Sequence, residues 1–285
     1  MRRLLVALGL VASMSDALAG GFELPILRGS DGYAAAAPPV IHWSGFYGGG
    51  QVGYGFASMD FATSTQDLVA HMLRQLTLEN EVRVSTWQVL GKRDTHSSSY
   101  GGFFGYNNRW EDVILGFEFN YSRTDFSADA PMTPISIRTS AGGNDYDVTL
   151  TGGASMRITD LATIRARAGI AVENFLPYAM IGVAAGRADL ARSATVTGQQ
   201  NPPPATDPPT PCGPPATPTC VPFSFTESQS KTGAFIFGWS FGGGLDVMVM
   251  PNVFLRAEYE YVAFSPVWEI KANINTVRFG AGIKF

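Results

Sequence analysis

Hydrophobic and polar residues alternate at the end of the chain: Val277, Phe279, Ala281, Ile283 and Phe285 share one parity, and Thr276, Arg278, Gly280, Gly282 and Lys284 share the other. A period of two predicts a strand with one apolar and one polar face. Six more segments read the same way, and a seventh is strand-like without a clear facing. Residues 46–56 set Phe46, Val52, Tyr54 and Phe56 against Tyr47, Gly49, Gln51, Gly53 and Gly55, and residues 100–107 carry Phe104 and Tyr106 on one side. Val113, Leu115, Phe117, Phe119 and Tyr121 oppose Asp112, Ile114, Gly116, Glu118 and Asn120, while Ile164, Ala166, Ala168 and Ile170 oppose Thr163, Arg165, Arg167 and Gly169. Phe235, Phe237, Trp239 and Phe241 oppose Gly238, Ser240, Gly242 and Asp246; Leu255, Ala257, Tyr259 and Tyr261 oppose Arg256, Glu258 and Glu260. Residues 177–188 are apolar on both parities, which leaves their facing open.

The links between these eight segments alternate in length. Residues 57–98, 125–161 and 190–231 are long; 108–111, 174–176 and 250–252 are short. Brief turns on one side and larger loops on the other are the mark of an outer-membrane barrel. A ninth candidate, 146–158, dilutes Val148, Leu150 and Met156 with Thr149, Thr151, Gly152, Gly153 and Ser155. Counting it makes the strand number odd and breaks the alternation, so it is assigned to a β-rich outer loop. The predicted fold is therefore all-β: an eight-stranded antiparallel transmembrane up-and-down β-barrel with long extracellular loops. Aromatic faces then point at lipid and polar faces inward, and the sheet closes because backbone groups in hydrocarbon must all be paired. A soluble β-sandwich explains the alternation but not the link lengths.

The N-terminus adds a compartment. Arg2 and Arg3, an apolar run over residues 4–12 and Ala17-Leu18-Ala19 form a secretory signal peptide over 1–19. Residues 20–42 become a periplasmic lead-in, and 43–285 the barrel. Without 1–19 the chain keeps 18 basic and 23 acidic residues, a formal charge of −5. With no basic block, nucleic acid is not an expected partner.

The inward parities carry charge. Glu118 lies one strand from Arg165 and Arg167, Asp246 one strand from Arg256, and Glu258 one strand from Arg278. Around the turn at Pro251, Asp246 falls opposite Arg256. An eight-stranded barrel is filled by its own side chains, so these seven residues are expected to form an ion-paired plug. A narrow channel for ions or small solutes, porin-like in its transport, is the alternative.

The long links hold the remaining chemistry. Ser64 and Asp67 resemble a capping box ahead of Leu68, Val69, Met72, Leu73 and Leu76, which predicts a short amphipathic helix over the barrel mouth. Cys212 and Cys220 sit in a Pro-rich stretch and are expected to pair in an oxidising compartment. Two cysteines without nearby His fall short of a metal site, and no phosphate-cradling loop calls for a cofactor. His96 beside Ser97, Ser98 and Ser99, with Asp94 or Asp145 as orienter, is the one arrangement that suggests hydrolysis. Such adjacency is common by chance, and the expectation is that the protein is not an enzyme.

Trp43-Ser44-Gly45-Phe46-Tyr47-Gly48-Gly49, then Gly53-Tyr54-Gly55, resembles the opening strand of small Gram-negative outer-membrane immunogenic, porin-like proteins. Arg256-Ala257-Glu258-Tyr259-Glu260-Tyr261 and the closing Lys284-Phe285 match further along, so the likeness spans 43–285. The resemblance implies a barrel similar to the membrane domain of outer-membrane protein A. It also implies insertion by the barrel assembly machinery with Phe285 as part of the signal, and contact with outer-membrane lipid and lipopolysaccharide. Envelope integrity, surface antigenicity and an extracellular partner reached through the loops are the roles it suggests. This chain departs from the family in its larger loops.

Overall fold

The computed structural model describes residues 42–130, 134–200 and 220–285. The signal peptide, all of the lead-in but its last residue, and Cys212 with most of its Pro-rich stretch lie outside the described residues.

The strands are β1 (Gly45–Asp60), β2 (Lys92–Trp110), β3 (Val113–Ala130), β4 (Ile135–Ala141), β5 (Asn144–Ile170), β6 (Phe175–Gln200), β7 (Val221–Met250), β8 (Val253–Phe264) and β9 (Lys271–Lys284). All pairings are antiparallel, in the order β3-β2-β1-β9-β8-β7-β6-β5, and β3 pairs with β5 to complete a ring of eight. No edge is left in the ring, as a hydrocarbon setting demands. β4 stands outside the ring and pairs with the far end of β5. Among the described residues no helix is long and apolar enough to cross a membrane.

Outward-facing side chains form the apolar belt. Phe117, Phe119, Ile164, Ile181, Phe237, Trp239 and Phe279 are all exposed. The aromatic rims follow: Phe46 stacks on Phe104 at 5.8 Å and tilts against Tyr106 at 4.9 Å near the short turns. The face of 177–188 is now settled, with Tyr178, Met180 and Ala184 inward and Ile181 and Val183 outward.

The strands run well past this belt, so the long links are partly sheet. β1 and β2 leave only 61–91 between them, and 146–158 is no separate outer segment but the first half of β5. Its continuity is disguised by a bulge. Ile158 pairs with Ala188 and Asp160 with Arg187, so β5 carries one extra residue at the membrane boundary. Even-numbered Ala162, Ile164 and Ala166 face lipid below the bulge, and even-numbered Val148, Leu150 and Met156 are buried inside above it. The apolar parity never changes in sequence; the bulge turns it from outside to inside as the surroundings change from hydrocarbon to water. β7 uses the same device, with the extra residue beside Gly233, whose φ of +66° suits glycine.

The first link folds back into the mouth. It contains α1 (Gln66–Leu73), α2 (Thr77–Val82) and a 3-10 turn (Val84–Thr86). Leu68, Val69 and Leu73 of α1 are buried against the inward residues of the strand extensions. The capping box does not form: Thr65 is the N-cap without a side-chain cap bond, Ser64 donates to the Phe61 carbonyl at 2.8 Å, and Asp67 is engaged elsewhere.

Candidate functional site: a charged belt inside the barrel

Period-two alternation on five strands delivers charged side chains to one level of the interior. The backbone register pairs Glu118 with Arg165, Asp246 with Arg256, and Glu258 with Arg278 directly across neighbouring strands. Bonds then cross the lumen. Arg256 of β8 donates to Glu118 of β3 at 2.7 Å, Arg165 of β5 to Glu258 of β8 at 2.7 Å, and Arg167 of β5 to Asp246 of β7 at 2.7 Å. Arg256 also holds Asp246 through Nε at 2.8 Å and Nη2 at 3.1 Å, while Arg165 pairs closely with Glu118. All seven residues expected in the interior are buried.

Three further residues complete the belt. Glu260 accepts from Arg165 at 3.2 Å and from Ser240 at 2.5 Å, and pairs with Arg278. With Glu260 the belt has four guanidiniums and four carboxylates; without it one positive charge is left over. Its parity, shared with Glu258, was the signal that could have found it. Tyr47 donates to Glu118 at 2.8 Å and Tyr178 to Glu258 at 2.9 Å. The Arg167 guanidinium lies 3.8 Å from the Tyr178 ring centroid, in cation–π contact. Room for these rings comes from glycine: a Cβ on Gly105 would lie 2.4 Å from the Tyr47 hydroxyl, and one on Gly244 2.6 Å from that of Tyr178.

Apolar layers lie above and below. Toward the short turns, Trp43, Tyr47, Phe103, Ile114, Leu176, Met248 and Phe254 pack together. Toward the mouth, the α1 residues join Phe126, Leu150, Ile158, Leu190 and Ile274. The charges are thus desolvated from both ends, where an ion pair persists only if fully partnered.

The remaining candidates are scattered. His96 lies on β2, exposed, tilted against the rings of Tyr54 at 5.9 Å and Phe56 at 6.4 Å. Asp94 accepts from Ser58 and Asp145 from Ser140, both at 2.5 Å; among the described residues no hydrogen bond joins His96 to a serine or to either carboxylate. The hydrolase arrangement is therefore not assembled. Phe285 donates its backbone N–H to Phe46 at 2.9 Å and is largely exposed. Among the described residues no group of three or more His, Cys, Asp or Glu side chains is placed to hold a metal ion.

A closed ring with an aromatic exterior and a charged interior defines a membrane β-barrel. The family described as "Outer membrane protein beta-barrel domain" has a model that matches residues 32–285, and this chain belongs to that family. It is an outer-membrane protein. Solved structures similar to it include the Neisserial surface protein A (NspA), at 14% identity over 85% of this chain and 98% of that one, TM-score 0.37. Ail, the attachment invasion locus protein of Yersinia pestis, is 13% identical over 85% of this chain and 99% of that one, TM-score 0.31. The N-terminal β-barrel domain of Pseudomonas aeruginosa OprF is 12% identical over 83% and 99%, TM-score 0.29. No curated protein matches this chain.

Proposed function

We propose that this barrel is a sealed envelope and surface-interaction protein that neither conducts solutes nor catalyses a reaction. The observation that carries this reading is the layered interior: eight balanced charges bonded across the lumen between two apolar plugs. Moving an ion through requires both separating these pairs and displacing the α1 plug. Porins of general specificity use about 16 to 18 strands and leave water inside; here side chains occupy that space. Interaction with partners falls to the strand extensions and links above the membrane, and lipid contact to the aromatic belt.

Single-channel recording in planar bilayers tests the reading. The expected trace is a flat baseline for the refolded protein. Large, reproducible openings that change on substituting Arg165 or Glu258 would instead establish the channel.

A further inference from the structure

The lipid-facing surface of β5 and β6 differs from the rest of the belt. Ala162, Ala166 and Ala168 on β5 and Ala179 and Ala185 on β6 face outward, between an aromatic ridge on β3 (Phe117, Phe119, Tyr121) and another on β7 (Phe235, Phe237, Trp239, Phe241). The alanines between tall ridges leave a groove along the barrel wall, interrupted where Ile164, Ile181 and Val183 also face outward. It holds two successive hollows of about 530 and 440 Å3, one lined by Phe119, Ala162, Ala185 and Trp239, the other by Phe117, Ala166, Ala168 and Ala179.

At its outer end the groove meets charge. Arg123, Asp160 and Arg187 stand side by side on β3, β5 and β6, all facing outward. Asp160 is satisfied by the Tyr121 hydroxyl at 2.6 Å and that of Thr159 at 2.8 Å. Arg123 and Arg187, both exposed at the hydrocarbon boundary, interact electrostatically with the Asp160 carboxylate between them but make no hydrogen bond or close ion pair among the described residues, so the cluster keeps one net positive charge. The acids just above are taken: Asp125 by Arg157 at 2.6 and 2.9 Å, and Asp189 by the backbone N–H of Gly233 at 2.7 Å. With strands about 4.8 Å apart, the two guanidiniums rise from Cα positions roughly 10 Å apart, a span that one phosphate can bridge.

Directly above, the outer face of β5, β6 and β7 is a sheet of hydroxyls. Thr151, Thr195 and Thr226 form one row, Thr149, Thr197 and Ser224 the next, and Ser193 pairs with Ser228 below. An exposed sheet face is ordinarily charged; a neutral array of donors and acceptors suits sugar hydroxyls.

We infer that this groove is a binding site for a phosphorylated glycolipid of the outer leaflet, lipid A. Its acyl chains lie over the alanines, its phosphate on Arg123 and Arg187, and its saccharide against the hydroxyl rows. A phospholipid would use the groove but not the hydroxyls, and a second copy of this chain would bring no phosphate to the two guanidiniums. The inference stands whether or not the lumen conducts.

Native mass spectrometry of the full-length protein in detergent tests it, with hexa-acylated bisphosphorylated lipid A, its dephosphorylated form and phosphatidylglycerol as probes. One retained lipid A per barrel is expected. Arg123→Gln with Arg187→Gln should weaken it about tenfold, as should removing the phosphates. Ala162→Phe with Ala185→Phe, which fills the groove and leaves the arginines, should weaken it similarly. Equal retention of phosphatidylglycerol, indifference to both double variants, or dimers forming in place of the lipid adduct would overturn the assignment. Heat-modifiable mobility on gels verifies that each variant is folded.

Discussion

Glu118 shows how much rests on one side chain. It accepts from Arg165, from Arg256 at 2.7 Å, from Arg167 at 3.3 Å and from Tyr47 at 2.8 Å, and it is buried. Glu118→Gln keeps the volume and deletes the charge, leaving one positive charge unbalanced among Arg165, Arg167 and Arg256, which keep Glu258, Glu260 and Asp246. Breaking a buried pair in this way costs on the order of 3 to 5 kcal/mol, so urea unfolding in lipid vesicles should shift by that amount. An unchanged midpoint would mean that water reaches the belt. Glu260→Gln should behave in the same direction, because Arg165 and Arg278 both lean on it. The positions of these groups were legible in sequence parity. Which carboxylate meets which guanidinium across the lumen was not, because residues up to 138 apart in the chain are brought together only by closure of the ring.

Among the elements, α1 depends on one latch. Arg192 of β6 donates to both Asp67 carboxylate oxygens at 2.7 and 2.8 Å, to the Ser64 carbonyl at 2.8 Å and to Gln229 at 2.7 Å. Its guanidinium also lies 4.8 Å from the Trp268 ring centroid. Asp67 had been read as half of a capping box; the tertiary partner takes it instead, since the buried Arg192 guanidinium needs a counter-charge. Arg192→Ala should loosen the first link and raise the initial rate of tryptic cleavage at Arg74 or Arg83 about tenfold, equivalent to about 1.4 kcal/mol of local opening. A cleavage rate matching the unaltered protein would show that apolar packing alone holds the plug. The strands carry a related lesson. In sequence β5 looks like two segments and the first part of β7 looks like loop, because a bulge of one residue cannot be seen in a period-two pattern.

For the whole molecule, a continuous ring with a packed interior makes unfolding all-or-none and slow. Unboiled protein should therefore migrate apart from boiled protein in SDS gels, and circular dichroism should report mostly sheet. Equal mobility of the two samples would contradict a closed barrel. Export and the two cysteines of the chain support a bridge between Cys212 and Cys220. Alkylation under non-reducing conditions should find no free thiol, and labelling of both would refute the pairing.

The number of strands in the ring, the lipid-facing aromatics, the inward parity of the charges and the side with long connections were determined by sequence, because alternation and link length are local properties that hydrocarbon and water sort directly. Only the tertiary structure decided that the links are partly continued sheet, that Arg192 anchors the helix expected over the mouth, and that Glu260 balances the belt. Those outcomes depend on residues far apart in the chain meeting across a closed ring, and no periodicity along one strand encodes such a meeting.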